Sequence, residues 1–284
     1  MKKFFLIITS FMMVVTGVAQ DGITVCQTPA TEKFALFASN RKFNDDHQAP
    51  RAYVHRSTEG GKMITIKCPD GSTANAYLIE AKKKTNNWIV VFQEWWGLND
   101  NVKRQSEDFY KDLGHVNVIA LDMYDGKLAT TKEDAGKYMS KFKSERGMQI
   151  ILGAQNFAGK NAKIGTVGWC FGGGLSLQAS LAYGKQAVAC VVYYGMPEEN
   201  IDRLKTLSAD VLGIFGTKDG WINAEVVKKF EANMKAAGKN LTVKNYEADH
   251  AFANPSNPLG TFDEAAYNDA YKSTLQFFKA RLKE

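Results

Sequence analysis

Gly168-Trp169-Cys170-Phe171-Gly172 constrains this chain more than any other stretch. It follows a strand-like run, Ala162 to Val167, and opens a helix-like run from Phe171 to Tyr183. A cysteine with glycines two places before and after it marks a sharp strand-to-helix turn. Any Cβ at the glycine positions would strike the neighbouring strand or helix. The helix that starts there aims its free N–H groups and dipole at the cysteine, which favours a thiolate and a developing oxyanion. Gly173 and Gly174 extend the glycine run and let helix and sheet approach closely. A glycine-rich turn around a buried cysteine would share this pentapeptide, so the rest of the chain has to supply the context.

The flanking pattern is one of strands alternating with helices. Residues 62–67 and 74–79 read as a hairpin across Pro69-Asp70-Gly71. Trp88 to Phe92 is continuously apolar, as a strand buried on both faces should be. Further strands are expected at Val116–Ala120, Ala187–Tyr193, Asp210–Phe215 and Leu241–Tyr246. Helices are expected at Asn101–Leu113, across 131–158 with a break near Gly147, and at Asn223–Ala237 and Asp263–Leu282. This predicts an α/β protein with a mostly parallel central sheet and helices on both faces. Function in such sheets collects at the carboxyl ends of the strands. The cysteine turn resembles the Gly-x-nucleophile-x-Gly elbow of the α/β-hydrolase fold, with cysteine in place of the usual serine.

An elbow needs a base and an acid that orients it. Of the four histidines, His47, His55, His115 and His250, only His250 follows both the elbow and the last strand, which is the hydrolase order. Asp219 lies just beyond the strand ending at Phe215 and could hold one nitrogen of His250; Asp249 is its rival but adjoins the histidine in sequence. Glu94 follows the central strand and reaches the same edge of the sheet. The backbone N–H groups of Trp95 and Phe171 stand where such folds place their oxyanion donors.

With these pieces in this order, the chain resembles the dienelactone hydrolase (carboxymethylenebutenolidase-like) family from about Ile64 to Arg281. The resemblance rests on Gln93-Glu94-Trp95-Trp96-Gly97-Leu98-Asn99, Asp122-Met123-Tyr124, the cysteine elbow, Asp219 and His250-Ala251-Phe252. It implies a Cys-His-Asp triad, and a glutamate at Glu94 that contacts the resting thiol and helps form the thiolate when substrate displaces it. It also implies two arginines that grip a substrate carboxylate. This chain has Gly126 and Asn254 at those places, and Lys127 would be a less specific substitute. Four of the five tryptophans lie within two residues of Glu94, Cys170 or Asp219. Trp95, Trp96, Trp169 and Trp221 are either core or the wall of a pocket for an apolar acyl or alkoxy group, and Tyr124, Phe252 and Asn254 are expected to line that pocket with Trp96, Trp169 and Trp221.

The first residues, Met1-Lys2-Lys3, an apolar run from Phe4 to Val15 and Gly17-Val18-Ala19, predict a secretory signal over residues 1–19. The net charge of +6 includes Lys2 and Lys3, so the exported chain is only mildly basic. An N-terminal extension, residues 20–60, holds a helix-like patch from Glu32 to Ala38; residues 61–284 form the hydrolase domain. Four cysteines in an oxidising compartment allow three pairings; Cys26 and Cys68 could join, and Cys190 reads as a core thiol. No cofactor, metal-ligand spacing, phosphate loop or nucleic-acid motif is expected, and no membrane span after signal cleavage. The expected partner is a small-molecule ester or lactone, met by a monomer or small homo-oligomer. Two functions compete: an exported cysteine-dependent hydrolase, and a binding protein on a hydrolase scaffold. A redox role for Cys170 has no Cys-x-x-Cys pattern behind it.

Overall fold

The computed structural model describes residues 30–47, 49–256 and 260–283. The expected signal segment and Cys26, and with it the Cys26–Cys68 pairing, lie outside the described residues. Cys68 is buried, has no disulfide partner among the described residues, and lies 3.6 Å from Arg146 Nη1.

Eight strands form one sheet: β1 (Lys62–Lys67), β2 (Thr73–Ile79), β3 (Asn87–Phe92), β4 (Asn117–Leu121), β5 (Lys163–Trp169), β6 (Ala187–Tyr193), β7 (Asp210–Gly216) and β8 (Leu241–Tyr246). Their spatial order is β1-β2-β4-β3-β5-β6-β7-β8. β1 and β2 pair antiparallel, β2 runs antiparallel to β4, and every pair from β4 to β8 is parallel. β3 is buried at all six positions, the pattern of a strand covered on both faces.

Helices α1 (Ala30–Ala35) and α2 (Arg41–Asp46) precede the sheet; α3 (Asp100–Leu113), α4 (Lys132–Ser140), α5 (Ser144–Ala158) and α6 (Phe171–Tyr183) follow β3, β4 and β5. Then come α7 (Ile201–Lys205), α8 (Ala224–Ala236) and α9 (Glu264–Arg281). Side chains alternate across β5, so its two faces meet different helices. A Cβ on Gly165 would strike Phe278 of α9, while one on Gly168 would strike the backbone of Gly172 in α6. Asparagine caps start three of the later helices: Asn99, Asn200 and Asn223 each accept two backbone N–H groups.

The helical region 131–158 breaks at Lys141–Lys143, not near Gly147. Gly147 lies in the first turn of α5, where its missing side chain makes room for the Phe142 ring; a Cβ there would stand 2.4 Å from Phe142 Cζ. The glycine serves packing rather than a break.

Residues 30–47 lie over the carboxyl ends of the strands. Asn40 caps α2 by accepting from Lys42 and Phe43 N–H. Lys33 pairs with Glu199 at 2.6 Å, and Thr31 meets Ser144 at 3.2 Å. Phe34 and Phe43 are buried, each contributing about 1.5–3 kcal/mol. Residues beyond the segment run extended: Arg51 N–H donates to Ser256 O, and His55 N–H to Asp100.

Candidate active site

Neighbouring strands bring Glu94, Cys170, Asp219 and His250 to one edge of the sheet, after β3, β5, β7 and β8. At the elbow, Cys170 has φ 57° and ψ −119°, a left-handed conformation that costs a non-glycine residue of order 1–3 kcal/mol. Gly168 and Gly172 permit it. A Cβ on Gly168 would sit 2.1 Å from Gly172 O, and one on Gly172 would sit 2.3 Å from Gln93 O. Cys170 N–H is tied to Tyr193 O, and its carbonyl accepts from Gly173 N–H. The elbow is thus clamped between β3, β6 and its own helix.

His250 Nδ1 meets Asp219 Oδ2 at 2.7 Å. The same aspartate accepts N–H groups from Trp221 and Ile222 through its other oxygen. Burial pushes the Asp219 carboxyl up, but His250 and these N–H groups outweigh it and hold the carboxyl below its usual range. An ionised Asp219 fixes the proton of His250 on Nδ1 and leaves a lone pair on Nε2. That Nε2 is buried with no protein partner.

Cys170 is 1% exposed. Burial drives its thiol well above the usual range, Glu94 adds to the effect, and the Phe171 N–H only partly opposes it. The helix terminus expected to favour a thiolate is therefore outweighed, and the resting group is a thiol. Glu94 is half-buried and accepts from Asn254 Nδ2 at 2.8 Å. Burial raises its carboxyl to about 7, against the opposing pull of His250 and Asn254. Asn254, standing where the resemblance implies an arginine, anchors the glutamate. The nearest partner of the thiol is not Glu94 but His47, whose Nε2 lies 3.9 Å from Sγ.

His47 was not singled out by sequence reasoning, because it belongs to no motif and precedes the sheet. It closes α2 and is buried. Its Nδ1 meets Phe43 O at 2.6 Å, so that nitrogen carries the proton. Burial, then His250, lowers its pKa to about 3, so the ring is neutral. His47 and His250 ring centroids stand 5.1 Å apart, and Phe34 stacks on His250 at 6.3 Å. A signal did exist: Phe34, Phe37 and Phe43 form too large an apolar face for an exposed extension. Tyr194 was missed as well. It sits just past β6 with φ 35°, packs 5.0 Å from the His250 ring, and has a buried hydroxyl without a protein partner.

The expected pocket residues divide. Tyr124 stacks on Phe171 at 6.0 Å and has an unpartnered hydroxyl, which burial holds well above its usual pKa range. Trp96 and Asn254 line a narrow cleft beside Glu94. Trp221 is half-buried under Phe37 and Phe43, at 5.3 and 5.2 Å. Trp169 does not face the site. It shares the strand face of Gly165 and turns to Phe109 and Tyr193, because alternate residues of β5 point to opposite faces. Phe252 packs behind His250 on Tyr194 and Tyr246 and is core. Lys127 lines a cavity of about 190 Å³ with Tyr124, Tyr138 and Arg146, its ammonium 6.0 Å from the Tyr138 ring. Among the described residues, His47, Cys170 and His250 also form a metal-capable cluster, which the sequence spacing did not predict.

The profile of the dienelactone hydrolase family matches residues 74–282. The chain is 30% identical over 219 residues to carboxymethylenebutenolidase of Pseudomonas putida, covering 70% of this chain and 87% of the relative. It is 25% identical to carboxymethylenebutenolidase 1 of Cupriavidus pinatubonensis, covering 78% and 97%. Among solved structures, dienelactone hydrolase from Anabaena variabilis shares the fold with a TM-score of 0.56 at 16% identity, covering 78% of this chain and 98% of that one. The strand order, the strained cysteine elbow and these matches lead to one conclusion: the chain belongs to the dienelactone hydrolase family and is a hydrolase of carboxylic esters or lactones.

Proposed function

We propose that this protein is an exported hydrolase that uses Cys170 as nucleophile and passes through a thioester. The observation that carries the reading is the buried relay Asp219–His250, whose free Nε2 is presented toward the elbow cysteine. His250 Nε2 takes the thiol proton as Sγ adds to the substrate carbonyl. The oxyanion is held by the N–H groups of Phe171 and Trp95. Collapse breaks the C–O bond, and the departing alkoxide takes the proton from His250. Water then adds to the thioester, giving its proton to His250; breaking the C–S bond releases the acid and restores the thiol. Glu94 holds the resting thiol protonated by its nearby charge. Tyr124 and Tyr194 offer hydroxyls to substrate oxygen atoms.

The carbonyl must occupy space beside Sγ that His47 now holds. Turnover on this reading requires the 30–47 segment to yield. Export is supported by the basic, apolar and small-residue order of residues 1–19. The missing arginine pair argues for neutral esters or lactones over acidic dienelactones.

The test is mass spectrometry of protein quenched during turnover of a chromogenic short-chain ester and of a lactone. One acyl group on Cys170 is expected. Turnover with the acyl group on another residue would sink the mechanism. Fractionation of the native host tests export, with a chain beginning near Gln20 expected outside the cytoplasm.

A further inference from the structure

His47, Cys170 and His250 each present one donor atom, and the three atoms lie within 4.8 Å of one another. All three residues are buried. Each histidine has its Nδ1 occupied, His250 by Asp219 at 2.7 Å and His47 by Phe43 O at 2.6 Å. Both lone pairs therefore reside on Nε2. A carboxylate or a backbone carbonyl on the far nitrogen is the arrangement that orients metal-bound imidazoles. His250 Nε2 has no protein partner, which leaves it available as a donor. Ligands at about 2.3 Å (sulfur) and about 2.0–2.1 Å (nitrogen) from a metal stand about 3.5–3.8 Å apart. The observed 3.9 Å between Sγ and His47 Nε2 is already close to that edge.

We infer that His47, Cys170 and His250 form a binding site for a soft d¹⁰ cation of the Zn²⁺ type. One thiolate and two imidazoles suit such an ion better than Mg²⁺ or Ca²⁺, which prefer oxygen ligands. Binding replaces the S–H bond with a metal–sulfur bond and releases one proton to solvent. Water fills the fourth position. Because His47 belongs to the covering segment, the ion ties that segment to the elbow. It also removes both the nucleophile and the base from reaction, so the bound form is closed and its thiol is shielded from oxidants. This last consequence rests on the hydrolase reading above; the binding does not.

The test is titration of the full metal-free chain with Co²⁺ under reducing, anaerobic conditions. One equivalent should produce a thiolate-to-cobalt absorption band that Zn²⁺ abolishes. Cys170→Ser should lose the band, and His47→Phe, which keeps a ring, should weaken binding at least tenfold. The unaltered chain gives a second readout that needs no variant: one equivalent of Zn²⁺ should slow alkylation of Cys170 at least tenfold, as followed by peptide mapping. A band that survives in Cys170→Ser, undiminished affinity in His47→Phe, or unprotected Cys170 would each overturn the site. Zn²⁺ should also suppress ester turnover, and a chelator should restore it. A chain that binds cobalt through Cys170 but hydrolyses no ester would refute the proposed function and leave the metal site standing.

Discussion

The carboxyl edge of the sheet and the segment laid over it are held by different means. At the edge, the backbone sets the geometry. Gly168 and Gly172 leave no room for a Cβ, Cys170 is tied to Tyr193 O, and Asp219 is pinned by two N–H groups. Over it, α1 and α2 are six residues each, too short to persist alone. They rest on ring contacts, such as Phe43 on Trp95 and Trp221, and on a few polar ties. The chemistry is thus built into main-chain constraints, whereas access to it depends on side-chain packing. The two should respond separately to substitution.

The sharpest way to break this division is at the edge itself. Cys170→Ala should lower kcat by about 10⁶-fold, the scale for removing a triad nucleophile, read on a chromogenic ester. If activity persists, the elbow is not the reacting centre. Asp219→Asn should cost about 10⁴-fold in kcat by favouring the wrong tautomer of His250, with the fold intact by circular dichroism.

Phe43→Ala probes the cover. Emptying that buried position should cost about 3–5 kcal/mol, drawn from the local opening of residues 30–47 rather than from global unfolding. Alkylation of Cys170 should accelerate by about 10²–10⁴-fold, at 1.4 kcal/mol per factor of ten, while the urea midpoint stays nearly fixed. A midpoint that falls in step would show that cover and sheet unfold together. The smallest effect is in pH dependence. Glu94 binds its proton more tightly in the folded state, at about 7 against an ordinary 4.5. The folded chain then holds more protons than the unfolded one across that window, so stability declines as pH rises through it. Glu94→Gln should flatten the decline in denaturant midpoints measured from pH 4.5 to pH 7.

The edge was largely legible in the sequence because its constraints are local. The glycines, the apolar run of β3 and the order Cys170, Asp219, His250 each reflect a steric or topological rule acting over a few residues. Trp169 was misplaced because only the strand's alternation, seen from Gly165 and Gly168, decides which face a residue adopts. Gly147 was read as a break because a glycine in a helix looks the same whether it bends the chain or admits a ring such as Phe142. His47 was hidden for a different reason: the phenylalanines around it mark the segment as buried, but not what it covers. Its partner Cys170 lies 123 residues away, and nothing local in the segment specifies what the short helix α2 rests on.

That separation has a consequence for how the molecule matures. The 30–47 segment is synthesised before every strand of the sheet, yet its docking surface includes His250, which follows the last strand. Closing so long a loop is favourable only once the intervening sheet exists. The cover should therefore settle last, and the folding chain should pass through an interval with Cys170 bare. Trapping cysteines with a thiol reagent during refolding would time that interval, with Cys190 protected early and Cys170 late.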